Sequence, residues 1–159
     1  MNYRQIRRED DAAIAGIIRD NLKQYNLDVP GTVYFDKNLD HISDFYLADS
    51  EKRYYFIAIE GEKVCGGIGL AEVDFFEDCA ELQKLYLSDE AKGQGFGYEL
   101  IAMIEDKARQ LGYKRMYLET HTNLEAAIHI YEKAGYRQIP RPEAVVHGGM
   151  DRFYIKDLL

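Results

Sequence analysis

The sequence predicts a mixed α/β fold, a central sheet flanked by helices, in one domain spanning residues 1–159. Three observations predict it. Strand-like alternation and helical periodicity follow one another along the chain, one strand runs directly into a glycine-rich turn that opens an amphipathic helix, and no repeat or low-complexity linker interrupts the order. A chain of 159 residues, 47% hydrophobic and 30% charged, buries a sizeable core without staples.

The elements follow in order. Tyr3 to Arg7 reads as a short strand. Asp10 or Asp11 caps a helix that sets Ile14, Ile17, Ile18 and Leu22 on one face, and Val29-Pro30-Gly31 breaks it with a turn. Leu39 to Ala48 forms a second helix carrying Ile42, Phe45 and Tyr46. Arg53 to Ile59 and Lys63 to Val73 alternate as strands about a turn at Gly61. In the next strand, Glu81 to Leu87, the apolar positions Leu82, Leu85 and Leu87 break the period of two, so one extra residue falls near Gln83 or Lys84. A β-bulge there would bend the strand and free backbone groups of Leu85, Tyr86 and Leu87 for an extended ligand; a plain edge irregularity gives the same spacing.

Lys92-Gly93-Gln94-Gly95-Phe96-Gly97 then opens a long helix. Glycines at alternate positions reach φ > 0 cheaply and turn successive N–H groups toward one point, at the positive end of a helix, where a pyrophosphate is held. Gly97, Leu100, Ile101, Ile104, Ala108 and Leu111 share one helical face, Glu99, Glu105, Asp106, Lys107 and Arg109 take the others, and Gly112 ends the helix. Met116 to Thr120 is a strand. Asn123 starts and Gly135 stops a short helix with Ala127, Ile130, Tyr131 and Ala134 on one face, so Tyr131 points inward, as core or as chemistry. Strands at Arg137 to Ile139 and Met150 to Ile155 close the sheet.

Composition excludes several classes. A formal charge of -8 opposes nucleic-acid binding, so any polyanion must be met by local cations such as Lys92 and Lys133 and by a helix N-terminus. No apolar run approaches the ~20 residues of a membrane span, and the N-terminus carries no signal-peptide pattern, so a cytoplasmic protein is expected. Cys65 and Cys79 read as reduced core thiols. His41, His121, His129 and His147 form no metal-ligand spacing, and no metal is expected. The glycine spacing and late position disagree with a dinucleotide fingerprint, and a P-loop lacks its Gly-Lys-Ser/Thr ending.

The run from Ala80 to Gly112 resembles the acetyl-CoA motif of the GNAT superfamily of N-acetyltransferases, with Lys92 where Arg or Gln is usual. Met116 to Thr120, then Asn123 to Tyr136, is similar to the family's following strand, asparagine, helix, tyrosine and glycine-aromatic ending. The two blocks cover the central and C-terminal half of the chain. The resemblance implies acetyl-CoA as co-substrate, held by Leu85, Tyr86, Leu87, Lys92, Gly93, Gln94, Gly95, Phe96, Gly97, Tyr98, Asn123 and Lys133.

It also implies direct attack of an amine on the thioester through a tetrahedral intermediate, with Tyr131 as the general acid for the thiolate. For the base, Glu81 is the first candidate and Glu119 the second, the latter alternatively pairing with Lys84 across the sheet; each also fits an ordinary strand glutamate, and waters or backbone carbonyls are the further alternative. The acceptor expected is a primary amine of a small molecule or amino acid, and after it a peptide or protein amine; a non-catalytic acyl-CoA sensor has the same fold. Asn26 to Asn38 and Pro140 to Gly149 are the candidate acceptor walls, with His121 nearby, and family habit suggests a homodimer through the C-terminal strands.

Overall fold

The computed structural model describes residues 1–146 and 148–159. His147 lies outside the described residues. One seven-stranded sheet carries the architecture, in the order β1 (Asn2–Gln5), β2 (Tyr54–Glu60), β3 (Lys63–Glu72), β4 (Cys79–Leu87), β5 (Arg115–Thr120), β7 (Arg152–Asp157), β6 (Arg137–Ile139). Neighbours run antiparallel except β4 and β5, which are parallel because the helix α3 (Phe96–Gln110) crosses between them.

Alternation along β2 shows how the sheet divides the core. Tyr55 and Ile57 pack with Ile14, Ile18 and Leu22 of α1 (Asp11–Gln24) and with Ile42 and Tyr46 of α2 (Ile42–Leu47). Tyr54 and Phe56 face the other layer, where Leu100, Ile101, Ile104 and Ala108 of α3 meet Tyr131 of α4 (Glu125–Lys133). Each layer is an amphipathic helix laid on one face of the pleat.

Local chemistry shifts several boundaries. Helix α1 stops before Val29-Pro30-Gly31, because Asn26 takes φ 61° and the N–H of Leu27 returns to the carbonyl of Leu22 at 2.7 Å. Neither aspartate at its start caps it through a side chain. Asp10 accepts Arg4 Nη1 at 2.7 Å and Nη2 at 2.8 Å, while Asp11 accepts the Ser43 N–H at 3.0 Å and its hydroxyl at 2.6 Å, so it caps the helix packed alongside. The second helix is α-helical only over Ile42–Leu47, behind a 3-10 turn at Leu39–His41.

Glu105 departs from its expected place on an outer face of α3. It is 5% exposed, accepting Lys156 Nζ at 2.9 and 3.0 Å and the Tyr136 hydroxyl at 2.9 Å, so the last strand supplies the partner a buried carboxylate needs. Cys65 and Cys79 are free and buried. Among the described residues no helix is long and apolar enough to cross a membrane, and no group of three or more His, Cys, Asp or Glu is placed to hold a metal ion.

Candidate active site

The site begins where two parallel strands stop pairing. β4 and β5 match only over Cys79–Glu81 and Arg115–Tyr117, after which β5 stays with β7 and β4 stays with β3. The cause is the bulge expected from the leucine spacing. Gly69 faces Gln83 and Gly67 faces Tyr86, so β4 holds one more residue than its partner there, and Lys84 takes φ 51°.

Two tyrosines on neighbouring elements hold that bulge. The Tyr55 hydroxyl donates to the carbonyl of Lys84 at 2.8 Å, and the Tyr46 hydroxyl to Gln83 Oε1 at 2.7 Å. Their rings pack 5.0 Å apart over β3, where a Cβ on Gly69 would lie 2.5 Å from Tyr55 Cδ2 and 3.0 Å from Tyr46 Cε1. Sequence reasoning missed this support. Its signal was Gly66-Gly67-Ile68-Gly69 inside a strand pattern, which marks close approach rather than flexibility.

Between the parted strands lies a cleft of about 190 Å³. Leu85, Tyr86 and Leu87 of β4 form one side, Lys92, Gly93 and Gly97 the end at α3, and Tyr131 and Ile130 of α4 the far wall, with Glu119 and Thr120 where β5 departs. Asn21 of α1 and Tyr25, just past its end, also line it, neither of them anticipated. Asn21 Nδ2 donates to the carbonyl of Leu87 at 2.9 Å, so that carbonyl already has one donor; an asparagine within an apolar helical stripe was the available signal.

At the glycine turn, Gly93 and Gly95 use φ 76° and 89°, with nothing within 4 Å of either Cβ position. Gly97 is different: it is helical, and a Cβ there would meet Ile130 Cδ1 at 3.2 Å, so it lets α4 approach α3. No side chain caps α3, which leaves first-turn N–H groups without a side-chain acceptor. Lys92 Nζ lies 3.0 Å from Asp89 Oδ1 and 3.3 Å from Gln24 Oε1. Gln94 turns away, its Nε2 donating to the carbonyl of Glu90 at 2.7 Å.

Other expected residues stand off the cleft wall. Gln94, Gly95, Phe96 and Tyr98 follow the turn without lining it, and Lys133 is exposed at the far end of α4. Asn123 does not cap α4, which Leu124 precedes; its Nδ2 donates to the carbonyl of Tyr25 at 3.0 Å, tying this loop to α1. His121 accepts the Asn123 N–H at 3.0 Å and lies 3.7 Å from Asp151. The two expected acceptor walls meet each other, with Gly149 N–H donating to the Gly31 carbonyl at 2.8 Å, but none of their described residues lines the cleft, which Met150, just beyond the second wall, does.

Tyr131 is 6% exposed, and its hydroxyl has no hydrogen-bond partner among the described residues. Burial, then the neighbouring Tyr86, pushes that phenol well above its ordinary range. Glu81, the first candidate base, does not line the cleft; it accepts Gln83 Nε2 at 2.9 Å. Burial is the main cause that pushes its carboxyl up to about 7, with Glu119 adding to the rise and Gln83 and Lys84 opposing it. Glu119 accepts the Tyr117 hydroxyl at 2.8 Å rather than pairing with Lys84.

The chain matches the model of the acetyltransferase (GNAT) family over residues 18–136. It is 37% identical over 138 residues to the uncharacterized N-acetyltransferase YjgM of Escherichia coli, covering 86% of this chain and 81% of that one. Among solved structures, an acetyltransferase of the GNAT family from Staphylococcus aureus superposes with a TM-score of 0.86 at 20% identity, covering 99% of each chain. The yncA protein of Salmonella typhimurium, determined with its cofactor acetyl-CoA, gives 0.76 at 20% identity, over 100% of this chain and 94% of that one.

Proposed function

This chain belongs to the GNAT family of acetyltransferases, and from that membership we propose that residues 1–159 form one N-acetyltransferase domain that acetylates a primary amine of a small molecule or amino acid. The observation that carries the proposal is the parting of β4 from β5 around a cleft that has the uncapped N-terminus of α3 at one end and the unpartnered Tyr131 hydroxyl on its wall. An anionic cofactor with an extended arm fits those parts. The open glycine backbone at Gly93 and Gly95, Lys92 and the first turn of α3 would hold its phosphates, and the unpaired edge of β4 at Leu85 to Leu87 its arm. Tyr98, Asn123 and Lys133 are kept in this assignment as outer contacts.

Acetyl-CoA, when bound, supplies the acetyl thioester. The chain's own residues handle the protons. Glu81 takes the proton of the amine, through a water because it stands off the cleft lining, as the nitrogen forms the new C–N bond, and Tyr131 gives its proton to the sulfur as the C–S bond breaks. A phenol raised by burial stays protonated near neutral pH, and a carboxyl near 7 is poised to exchange. In this reading the enzyme works in the cytoplasm, and a second copy would pair at β6, which ends the sheet.

Calorimetric titration with acetyl-CoA, with NAD and ATP as controls, tests the reading. Micromolar binding of acetyl-CoA alone is expected, and its absence would sink the proposal. The base has its own test. Only ionised Glu81 accepts a proton, so kcat/KM should rise through about pH 7 and then level. Glu81→Gln should flatten that limb and lower kcat/KM by roughly a hundredfold; a limb that survives there but vanishes in Glu119→Gln would move the role to Glu119. Stability carries the opposite sign: the folded state keeps the Glu81 proton that the unfolded chain releases near 4.5, so its contribution is lost as pH rises through about 7.

A further inference from the structure

Lys84 lines this cleft and has no part in the proton transfers described above. It sits on the bulge with φ 51°, held in a conformation that a lysine rarely takes by the bond from the Tyr55 hydroxyl to its own carbonyl. It lines the cleft, yet among the described residues its ammonium has no hydrogen bond and no carboxylate within ion-pair distance. Its Nζ lies 5.8 Å from the centroid of the Tyr46 ring. The other lysine on the cleft wall, Lys92, is paired with Asp89 at 3.0 Å. Burial lowers the Lys84 pKa, so the position taxes the charge it carries, while Asp36 and Glu81 act on it only from a distance.

Lys84 is half-buried on the cleft wall, and a cation there without a protein partner is available to an anionic ligand that can pair with it. The same cleft holds Glu119 on its wall, and Glu81, off the lining, is coupled electrostatically to both Glu119 and Lys84. An anionic and a cationic group are thus presented to one small space, and they do not neutralise each other by contact.

Resting on the acetyltransferase reading above, we propose that the acceptor is a small amino acid, whose amine is received on the Glu81 and Glu119 side and whose free carboxylate is bound by Lys84. A simple amine would leave Lys84 unanswered. A peptide amine that lacks a nearby carboxylate would do the same.

The experiment compares matched acceptors, free amino acids against their carboxamides, by thiol release from acetyl-CoA with the purified chain. The wild type should favour the free acid by roughly tenfold or more in kcat/KM, because the carboxamide leaves the ammonium unpaired. Lys84→Met, assayed well above the Glu81 limb at about pH 7 so that loss of the neighbouring charge does not change the state of that base, should lose that preference by losing turnover of the acids while carboxamides stay within about threefold, since nothing of theirs contacts the ammonium. A wild type indifferent to the carboxylate overturns the proposal without any variant. A Lys84→Met protein that loses both acceptors equally also overturns it, and makes Lys84 a general support of the site. Acetyl-CoA binding without turnover of any matched pair rejects the amino-acid acceptor alone, whereas failure to bind acetyl-CoA removes the underlying reading and this one with it.

Discussion

Gly67→Ala is expected to destabilise the protein by about 3 kcal/mol or more, at the upper end of what overpacking a core costs. A Cβ at Gly67 would lie 2.6 Å from the backbone carbonyl oxygen of Phe56 and 2.9 Å from Tyr55 Cζ, with Tyr55 Cε1 closer still. Neither neighbour can yield. The first is main chain of the paired strand β2, and the second belongs to a ring that is 0% exposed and anchored through its hydroxyl to the carbonyl of Lys84 at 2.8 Å. The contrast is Gly95→Ala, whose φ of 89° strains any L-residue but whose Cβ meets nothing within 4 Å, so about 1–2 kcal/mol is expected. Urea denaturation of both variants checks the pair. A Gly67→Ala protein within 1 kcal/mol of wild type would mean that the ring and strand relax together.

The consequence reaches the cleft through a chain of contacts. Glycines in β3 make room for the rings of Tyr55 and Tyr46, the rings bring two hydroxyls to β4, and the hydroxyls fix the bulge at Gln83 and Lys84. β4 pairs with β5 only as far as Glu81, just before the bulge, and the space that opens between them is the candidate site. The same chain reaches the carboxylates. Tyr46 donates to Gln83 Oε1, and Gln83 Nε2 donates to Glu81 Oε1 at 2.9 Å, so the amide that fixes the bulge also orients the proposed base. Stability and the proposed chemistry therefore meet at one place in the sheet.

Residues whose role is written in periodicity were legible in the sequence. The leucine spacing of β4 located the bulge to within one residue, and the apolar stripe from Leu100 to Ala108 placed α3 with Gly112 as its stop. The order of strands and helices followed from the same signals. Partners distant along the chain were not legible. Tyr46 meets Gln83 across 37 positions, Asn21 meets the Leu87 carbonyl across 66, and Lys156 meets Glu105 across 51. Each is a polar side chain on an otherwise apolar face, and local pattern cannot say which carbonyl or carboxylate awaits it. Asp11 misled for a related reason: an aspartate before an apolar run fits an N-cap, but tertiary packing offered it Ser43 instead. The glycines were legible in number but not in kind, since Gly93 and Gly95 serve φ while Gly97 and Gly67 serve contact.

Tyr131→Phe is expected to lower kcat by at least tenfold, within the usual range for one general acid, while acetyl-CoA affinity changes less than about twofold. The substitution removes one oxygen. In an ordinary core that oxygen would hold a hydrogen bond worth about 1 kcal/mol, and its loss would blur a kinetic result with a folding one. Here the hydroxyl has no partner among the described residues, so the variant should match or exceed the wild type in thermal stability. The ring itself stays, edge-on to Tyr136 at 6.1 Å, and keeps the wall of the cleft. A fall in kcat with unchanged binding and unchanged melting therefore reports on the proton alone. An unchanged rate removes Tyr131 from the chemistry and leaves protonation of the thiolate to solvent. A parallel loss of acetyl-CoA binding would instead make the hydroxyl a contact for the cofactor, because a group used only when the C–S bond breaks does not stabilise the bound ground state.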